Sequence, residues 1–460
     1  MKRYETILCG AILLVIVVLY TSMAPTRLSS ANFGTDGGDF LAAVLTKGIP
    51  HPSGYPLYML LSIPFQLLKV STPVWRQTLL SIISAALTTV ILYCIVRISA
   101  QNQFNKKSVF ISSLVSSFIL AISPIFWSQS VIIEVYSLNA LFISLSILWL
   151  FIVFQKPNKN NIIKTVLVVC LPLLCGLGLG NHVSILLIYP LILFGIWRLH
   201  KSNLPKWKLV ICTIGWFSGL LTYLILPVRA QLHPAVNWGN PETMKGFLWL
   251  LSGGDYQNLL FGIKLIEYPG RILSWINLLL QQFGVFGLIA GLFGIYNPKR
   301  NKLAKWSTVY IFSIYSLFAI GYKTNDSFVY LIPAIIIFSL WCGWGINDLF
   351  QQNWKKINLG WLMVSVILIY SIFIIPSRYQ SIAPRNADLA NYAETTLSSA
   401  SENAYLFPEN DGQTFSLWYY QYGLGIRPDV RIVSKGLLQF DWYRENLLRL
   451  YPKINLQNLE

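Results

Sequence analysis

The sequence predicts an all-α polytopic membrane protein with about 11 transmembrane helices, followed by a small α/β module. Hydrophobic residues make up 55% of the 460 residues and charged residues only 12%, whereas about a quarter of the residues in a soluble domain are charged. Apolar runs of 17 or more residues recur along the chain, and about 20 such residues cross a bilayer as a helix. The basic residues are also distributed unevenly between the predicted loops, which indicates a fixed membrane topology.

The apolar runs predict these spans, in chain order: 7–24, 77–97, 108–127, 131–154, 162–180, 183–199, 208–228, 273–296, 306–322, 327–346 and 359–376. The first run is typical of a signal peptide, but with its flanks it is long enough to span, so we expect an uncleaved anchor. Residues 55–70 contain Pro56 and Pro64, and counting them as a span would invert every later loop. We therefore expect an interfacial or re-entrant helix on the outer leaflet.

The basic residues support this topology. With the N-terminus inside, 18 Lys and Arg residues fall in inner loops and nine fall in outer loops before residue 377, as the positive-inside rule requires. Topology therefore accounts for the net charge of +17, and no nucleic-acid partner is expected. All six cysteines lie in apolar runs, which predicts neither a disulfide framework nor a cysteine metal site.

The acidic residues gather on the outer side. Only Glu5 and Asp348 of the 18 acidic residues fall inside, and none lies in the middle of a span. We divide the chain into a transmembrane domain, residues 1–376, and an extracytoplasmic module, residues 377–460. The domain has two long outer loops, 25–76 and 229–272. The module reads as helix 386–399, strand 404–407, helix 414–423, strand 429–434 and helix 437–450, and it is short enough that we expect it to pack on the membrane domain.

Asp36 and Asp39 are the only acidic residues of the first long outer loop. Their spacing of three places both carboxylates on one face of a helical turn, unless they converge in a loop. Two nearby carboxylates repel, so one pKa rises and the pair can divide the roles of base and hydrogen-bond acceptor. The alternative is that both acids simply solvate the loop.

Other polar groups stand at the outer ends of the predicted spans. We expect Glu134 about one turn inside the outer end of helix 131–154, where an ionised acid faces protein or water unless it snorkels or caps the helix. Arg229 is at headgroup level and could bind a phosphate through its guanidinium fork, although arginine is also a common interfacial anchor. The remaining candidates are His51, Tyr136, Asn139, Asn181, His182, Trp238, Lys323, Asn325 and Asp326.

Together these segments resemble a family of multi-pass glycosyltransferases of the GT-C class. The family includes the animal O-mannosyltransferase that acts on plexin-type receptors. The resemblance rests on "TDGGDFLAAVLTKGIPHPSGYPLY", "FWSQSVIIEVYSLNALF", "GLGLGNHVS", "LPVRAQLHPAVNWGNPET" and "NDSFVYLIPA", which occur in the family's order. The later "DGQTFSLWYYQ" and "RPDV" are similar to the family's segment after the last span, so the resemblance covers nearly the whole chain.

The resemblance implies a GT-C-like fold and a polyprenyl-phosphate-linked sugar as donor, used on the non-cytoplasmic face. It places Asp36 at the family's base or metal-binding position, with Asp39 second, where many members carry Glu. We expect the donor phosphate to contact Arg229, His182, Lys323 and His51. We expect the substrates to contact Glu134, Tyr136, Asn139, Asn181, Trp238, Asn325 and Asp326. No residue is assigned to a metal: a divalent cation could bind two carboxylates, but a lipid-phosphate donor does not require one.

The expected reaction is an inverting transfer of the sugar to an acceptor hydroxyl, on a protein or a glycan, and mannosylation of a protein is one form of it. We expect a bacterial cytoplasmic membrane, with the N-terminus inside and the C-terminus outside. Two alternatives stay open at this point. One is a transporter or flippase of a lipid-linked saccharide, which would place ionisable groups near the middle of the bilayer. The other is a non-catalytic membrane assembly subunit.

Overall fold

A computed structural model describes residues 3–99, 105–155, 162–202, 204–298, 300–452 and 454–455 of the chain. Four basic residues of the predicted inner loops lie outside the described residues: Lys2, Lys156, Lys159 and Lys299. The described part is predominantly helical, as the sequence predicts.

The helices of the membrane domain are α1 (Arg3–Thr21), α2 (Gly37–Leu45), α3 (Pro56–Gln66), α4 (Pro73–Ser99), α5 (Lys106–Ala121), α6 (Pro124–Ser130), α7 (Tyr136–Phe154), α8 (Ile162–Leu177), α9 (Tyr189–His200), α10 (Lys206–Gly215), α11 (Ile225–Ala230), α12 (Met244–Leu251), α13 (Tyr268–Tyr296), α14 (Lys302–Gly321), α15 (Ile332–Leu349) and α16 (Leu359–Ile382). A short antiparallel hairpin, β1 (Asn353–Trp354) and β2 (Ile357–Asn358), precedes α16. Single 3₁₀ turns connect several of the helices.

Every predicted span overlaps a helical segment, although residues 131–135 of the predicted span 131–154 are not helical. Seven helical segments of the described chain are long and apolar enough to cross a membrane, and two bent pairs, α5 with α6 and Lys206–Gly215 with Ser218–Ala230, bring the number to nine. Two shorter apolar helices, Glu5–Thr21 and Thr165–Gly180, match the other two predictions. The protein is therefore a multi-pass membrane protein, and the number 11 stays a prediction. The α5–α6 bend of 65° falls before Pro124, which disfavours helical geometry in the preceding residue.

The structure agrees with the prediction for residues 55–70 and differs from the prediction for Glu134. Residues 56–66 form α3, a helix of 11 residues, which is too short to span and agrees with an interfacial or re-entrant segment. The prediction that Glu134 lies within a helix is wrong, because α7 begins only at Tyr136. The β-branched run Val131–Ile133 has low helix propensity, and the Glu134 carbonyl accepts a bond from Ser81 Oγ rather than closing a helical turn.

The core of the membrane domain lies around α15, in which every residue from Ile332 to Asp348 is buried. Glycine permits its close approach to α13. A Cβ atom on Gly345 would lie 1.8 Å from the Ala290 carbonyl oxygen, and one on Gly294 would lie 2.1 Å from that of Trp341. Such contacts between small residues are a common way for membrane helices to associate.

The C-terminal module comprises α17 (Asp388–Ser399), β3 (Tyr405–Leu406), α18 (Asp411–Trp418), β4 (Arg431–Ile432) and α19 (Asp441–Leu450). Strands β3 and β4 pair in parallel, and a π-helical turn extends α18 to Gly423. The element order matches the prediction, although each strand has only two residues. Helix α18 packs directly on α2: a Cβ atom on Gly38 would lie 2.5 Å from the carbonyl group of Phe415.

Candidate active site

The two aspartates of the first outer loop lie at the start of α2. Residues Ala31–Asp36 form a 3₁₀ turn in which Asn32 and Phe33 adopt left-handed backbone conformations. Asp36 is the N-cap residue of α2, and Asp39 lies in the first helical turn. The chain then turns back through the Pro- and Gly-rich stretch, so that His51 returns to the start of the same helix.

Asp39 is completely buried and fully engaged by N–H donors. Its Oδ2 accepts bonds from the backbone N of His51 at 2.9 Å and from the His51 Nδ1 at 2.8 Å. Its Oδ1 accepts a bond from Trp238 Nε1 at 3.1 Å. Asp39 therefore fixes the imidazole and joins the first outer loop to the second, which is the behaviour of a positioning group rather than of a free base.

His51 lies between the two carboxylates. Its Nε2 is 3.5 Å from Oδ2 of Asp36, on the side opposite to Asp39. Burial by itself lowers the pKa of His51, but the carboxylate of Asp36 and the hydrogen bond to Asp39 outweigh it, so the pKa is raised. The ring is enclosed by Phe40 and Tyr55, with centroid distances of 5.2 and 5.1 Å.

The side chain of Asp36 is more exposed to solvent than that of Asp39. About 36% of its side chain is exposed, although protein atoms crowd the surrounding recess. Burial raises the pKa of Asp36, and His51 lowers it. The carboxylates of Asp39, Asp411 and Asp326 raise it further, so the net shift is upward. A partly accessible carboxylate with a raised pKa has the properties of a general base.

Glu134 lies beside this group and is only 4% exposed. Its pKa is raised well above the usual value by burial, and then by the charge of Asp36. Because a protonated carboxyl group can donate a hydrogen bond, Glu134 is suited to bind a hydroxyl or a phosphate oxygen. It still contacts the outer recess, although from the turn before α7.

Asn181 and His182, in the segment "GLGLGNHVS", are both buried, whereas the next residue, Val183, is exposed. A Cβ atom on Gly180 would lie 2.1 Å from Thr222 Oγ1, so the missing side chain permits tight packing of this turn. Nδ1 of His182 accepts a bond from the Ser184 backbone N at 3.1 Å, which leaves the proton on Nε2. Burial, and then the charge of His51, lower the pKa of His182 to about 4.

His182 is therefore neutral at pH 7 and can donate a hydrogen bond, but it offers no positive charge. Its ring lies among three tyrosines, with centroid distances of 6.1 Å to Tyr55, 5.6 Å to Tyr136 and 5.8 Å to Tyr330. Asn139 reaches the same pocket through a 3.0 Å bond from its Nδ2 to Ser184 Oγ.

Arg229 and Lys323, the two cationic residues expected to contact the donor phosphate, lie in different surroundings. Arg229 is buried, and its Nη1 donates to the Gly48 carbonyl at 3.1 Å, so it supports the loop that carries His51. Lys323 and Asn325 are exposed at the turn before α15. Asp326, in the same turn, is half-buried, and its charge acts on both Asp36 and Glu134.

Sequence reasoning missed Arg271, which it counted only as an outer basic residue. Arg271 Nη2 donates to the Tyr322 carbonyl at 2.5 Å, to Ser327 Oγ at 2.8 Å and to the Ala319 carbonyl at 3.4 Å. It lines a cleft of about 240 Å³ between α13, α14 and the 3₁₀ helix Ser327–Leu331 that precedes α15. The lining residues are Arg271, Ser274, Trp275, Leu278, Ala319, Ile320, Asn325, Ser327, Phe328 and Leu331. The cleft thus combines a guanidinium group at its outer end with an apolar path along the spans.

This cleft adjoins the aspartate loop. Phe328, one of its lining residues, makes an edge contact with Phe33 at a centroid distance of 5.3 Å. Phe33 precedes Asp36 in the same 3₁₀ turn. The bond from Arg271 to Ser327, beside Phe328, leaves no mark in the local sequence, which is why Arg271 could not be distinguished from an ordinary interfacial anchor.

The donor groups around Asp39 do not suit a divalent cation, because N–H groups occupy both of its oxygens. Within the part of the chain that the structure describes, no three His, Cys, Asp or Glu side chains are grouped closely enough to hold a metal ion. No step of the chemistry below passes through a metal.

Two family models match this chain, one in the membrane domain and one in the C-terminal module. Residues 36–204 match the model of the protein O-mannosyl-transferase TMEM260 N-terminal domain, and residues 389–453 match TMEM260-associated domain 2. The chain belongs to this TMEM260 family. The first match begins at Asp36 itself and extends through the His182 turn, and the second contains α18 and α19.

Two curated relatives align over nearly the whole chain. Protein O-mannosyl-transferase TMEM260 of Mus musculus is 24% identical, covering 96% of this chain and 64% of its own length. The corresponding protein of Dictyostelium discoideum is also 24% identical, covering 98% of this chain and 60% of its own. The chain thus spans less than two thirds of the length of these relatives.

The solved structures show the fold. ArnT from Cupriavidus metallidurans bound to undecaprenyl phosphate superposes with a TM-score of 0.61 at 12% identity, covering 98% of this chain and 89% of ArnT. The apo form gives a TM-score of 0.56 at 11% identity, covering 98% and 96%. The GT-C-like architecture is therefore shared.

Proposed function

We propose that this protein transfers a sugar from a polyprenyl-phosphate donor to an acceptor hydroxyl on the non-cytoplasmic face of a membrane. The observation that carries the proposal is the pair of adjoining features at the outer ends of the spans. One is a partly accessible aspartate with a raised pKa. The other is a cleft that joins a guanidinium group to an apolar path. The relatives named as O-mannosyl-transferases support mannose as the first sugar to test.

In this proposal Arg271 holds the donor phosphate. Its guanidinium group is charged at all physiological pH values and forms paired hydrogen bonds with phosphate oxygens. Ser274 and Asn325 add polar groups at the mouth of the cleft, and Trp275 and Leu278 provide the apolar wall for the prenyl chain. The ArnT structure contains undecaprenyl phosphate within the same fold, which supports a ligand of this class.

Asp36 acts as the base. As the acceptor oxygen forms its bond to the anomeric carbon, the bond from that carbon to the phosphate oxygen breaks, and the hydroxyl proton passes to Asp36. The polyprenyl phosphate leaves with the bonding electron pair, and its negative charge is stabilised by Arg271. A single displacement inverts the configuration at the anomeric carbon.

Asp39 and His51 position the base in this scheme. Asp39 holds the imidazole through Nδ1, and the raised pKa of His51 keeps a positive charge beside Asp36 to a higher pH than an isolated histidine would. That charge favours the ionised form of Asp36 within a crowded recess. Glu134, whose raised pKa favours its protonated form, and neutral His182 would donate hydrogen bonds to substrate oxygens.

The experiment uses purified protein in lipid vesicles with radiolabelled polyprenyl-phosphate-mannose and hydroxyl acceptors. The proposal predicts loss of label from the lipid, gain of label by the acceptor, and an inverted glycosidic linkage. Movement of labelled lipid between leaflets without sugar transfer would instead show a flippase. A wild-type protein that transfers no sugar from any polyprenyl-phosphate donor contradicts the proposal.

A further inference from the structure

A second cleft lies between the second outer loop and the C-terminal module, apart from the Arg271 cleft. It encloses about 480 Å³, within the range of about 300–1,000 Å³ that small-molecule sites occupy. One wall belongs to the turn and helix that contain Gly239 and Trp249, and the other to the start of α19.

Three aromatic rings form the floor of this cleft. Trp249 lies 5.5 Å from Phe440 and 6.0 Å from Trp442, measured between ring centroids. Phe440 and Trp442 are nearly parallel to each other, with an interplanar angle of 21°. The remaining lining side chains are polar: Asn240, Thr243, Lys245, Gln439, Asp441 and Glu445.

The walls are held by close backbone packing. Gly239 has a positive φ of 71°, and a Cβ atom on Gly246 would lie 2.0 Å from the Gly239 carbonyl oxygen. The module is fastened to the same loop by a 2.8 Å bond from Asn446 Nδ2 to the Ala235 carbonyl. This packing fixes the walls of the cleft, which lowers the entropy lost on binding.

The composition of this cleft identifies its ligand chemistry. We propose that the cleft binds the saccharide part of the acceptor. A sugar ring presents C–H faces that pack on aromatic rings, and hydroxyl groups that both donate and accept hydrogen bonds. Aromatic faces surrounded by amide, carboxylate and ammonium groups match both features.

Other ligand classes fit less well. Among the described lining residues there is no Leu, Ile or Val, so the cleft lacks the aliphatic path that the Arg271 cleft offers to a lipid chain. An extended peptide commonly adds to an exposed strand edge, whereas the described walls here are helices and a turn.

The position of the cleft connects it to the aspartates. Trp442 lies 5.2 Å from Trp238 between ring centroids, and Trp238 donates to Asp39. One aromatic ring thus separates the floor of the cleft from the group that positions His51. This inference rests on the proposed function for its role as the acceptor site, while saccharide binding can be measured without transfer.

The test titrates wild-type protein with mannotriose, maltotriose, cellotriose and chitotriose, and separately with a Ser/Thr-rich peptide, following tryptophan fluorescence. The rim variants are Gln439→Ala and Glu445→Ala, both at exposed positions. Glu402→Ala is the control, because Glu402 is an exposed carboxylate of the same module that does not line the cleft. We expect at least one saccharide to bind wild type and control equally, and the Glu445→Ala variant roughly tenfold more weakly.

Three outcomes overturn the inference: no saccharide binds, saccharide binding is unchanged in both rim variants, or the rim variants weaken only peptide binding. In transfer assays we expect the rim variants to raise the KM for the acceptor and leave the KM for the donor unchanged. Saccharide binding without any transfer by wild type would refute the proposed function but leave the cleft assignment intact.

Discussion

Nδ1 of His51 lies 2.8 Å from Oδ2 of Asp39, and the backbone N of His51 donates to the same oxygen at 2.9 Å. The two residues thereby close the first outer loop upon itself. Asp39 also accepts a bond from Trp238 and is completely buried, so an acceptor hydroxyl cannot reach it. For this reason the proposed mechanism gives the role of base to Asp36, on the other side of the imidazole.

The pH dependence of transfer follows from this arrangement. The proposed base works only when it is deprotonated. Because the pKa of Asp36 is raised, we expect kcat/KM to start falling, as the pH is lowered, at a pH above the usual aspartate pKa of about 4. In His51→Gln the positive charge that lowers the pKa of Asp36 is lost. We expect the acidic limb of the kcat/KM profile to move to higher pH, and an unmoved limb would show that His51 does not act on the base.

The phosphate site can be separated from a structural arginine. We expect Arg271→Gln to raise the KM for the polyprenyl-phosphate donor at least about tenfold, since hydrogen bonds to charged groups contribute roughly 1.5–3 kcal/mol. Arg271→Lys should retain part of the affinity, because it keeps the charge without the fork.

Arg229→Gln is the matched comparison, because Arg229 also donates to a backbone carbonyl, that of Gly48, but does not line the cleft. We expect this variant to lower the melting temperature measured in detergent and to leave the donor KM nearly unchanged in the protein that remains folded. The reverse pattern, with the donor KM altered by Arg229→Gln and not by Arg271→Gln, would return the phosphate to the site that the sequence suggested.

Docking of the C-terminal module depends on Gly38. An added Cβ atom would lie 2.5 Å from the carbonyl group of Phe415, where backbone rather than a flexible side chain must move. We expect Gly38→Ala to destabilise the protein by about 1–3 kcal/mol and to reduce transfer. Gly436→Ala is the control, because nothing lies within 4 Å of its added Cβ atom. Equal melting temperatures for the two variants would contradict this packing.

We propose that transfer does not depend on a divalent metal. Both oxygens of Asp39 face N–H donors, which a cation cannot replace without breaking the loop. Treatment of the protein with EDTA, followed by removal of the chelate, should leave the rate of transfer unchanged. A loss of activity that Mg²⁺ or Mn²⁺ restores would show that a metal takes part.

Much of the fold could be predicted from the sequence, because apolar length and basic-residue asymmetry are local properties. The module's element order and the short α3 were readable for the same reason. The prediction that Glu134 lies in a helix was wrong because the turn before α7 accepts a bond from Ser81, which is 53 residues away in the chain. The burial of Asn181 and His182 could not be predicted, since a sequence does not show how closely glycines will allow a turn to pack.

Of the candidate site, the sequence and the family resemblance identified Asp36 as the expected base and Asp39 as the second acid, but not the contacts that distinguish them. Those contacts come from His51 and from Trp238, which is 199 residues from Asp39 in the chain. Arg271 was missed because its significance arises only where three spans meet. Contacts of this kind have no periodic or compositional signal.

The most direct measurement compares wild type, Asp36→Asn and Glu402→Gln for transfer of mannose from polyprenyl-phosphate-mannose under saturating donor. Glu402 is exposed, so its variant controls for loss of a carboxylate alone. The account predicts that Asp36→Asn keeps its melting temperature and its donor KM but loses at least about 100-fold in kcat, while Glu402→Gln behaves as wild type. Undiminished transfer by a folded Asp36→Asn protein would contradict the assignment of Asp36 as the base.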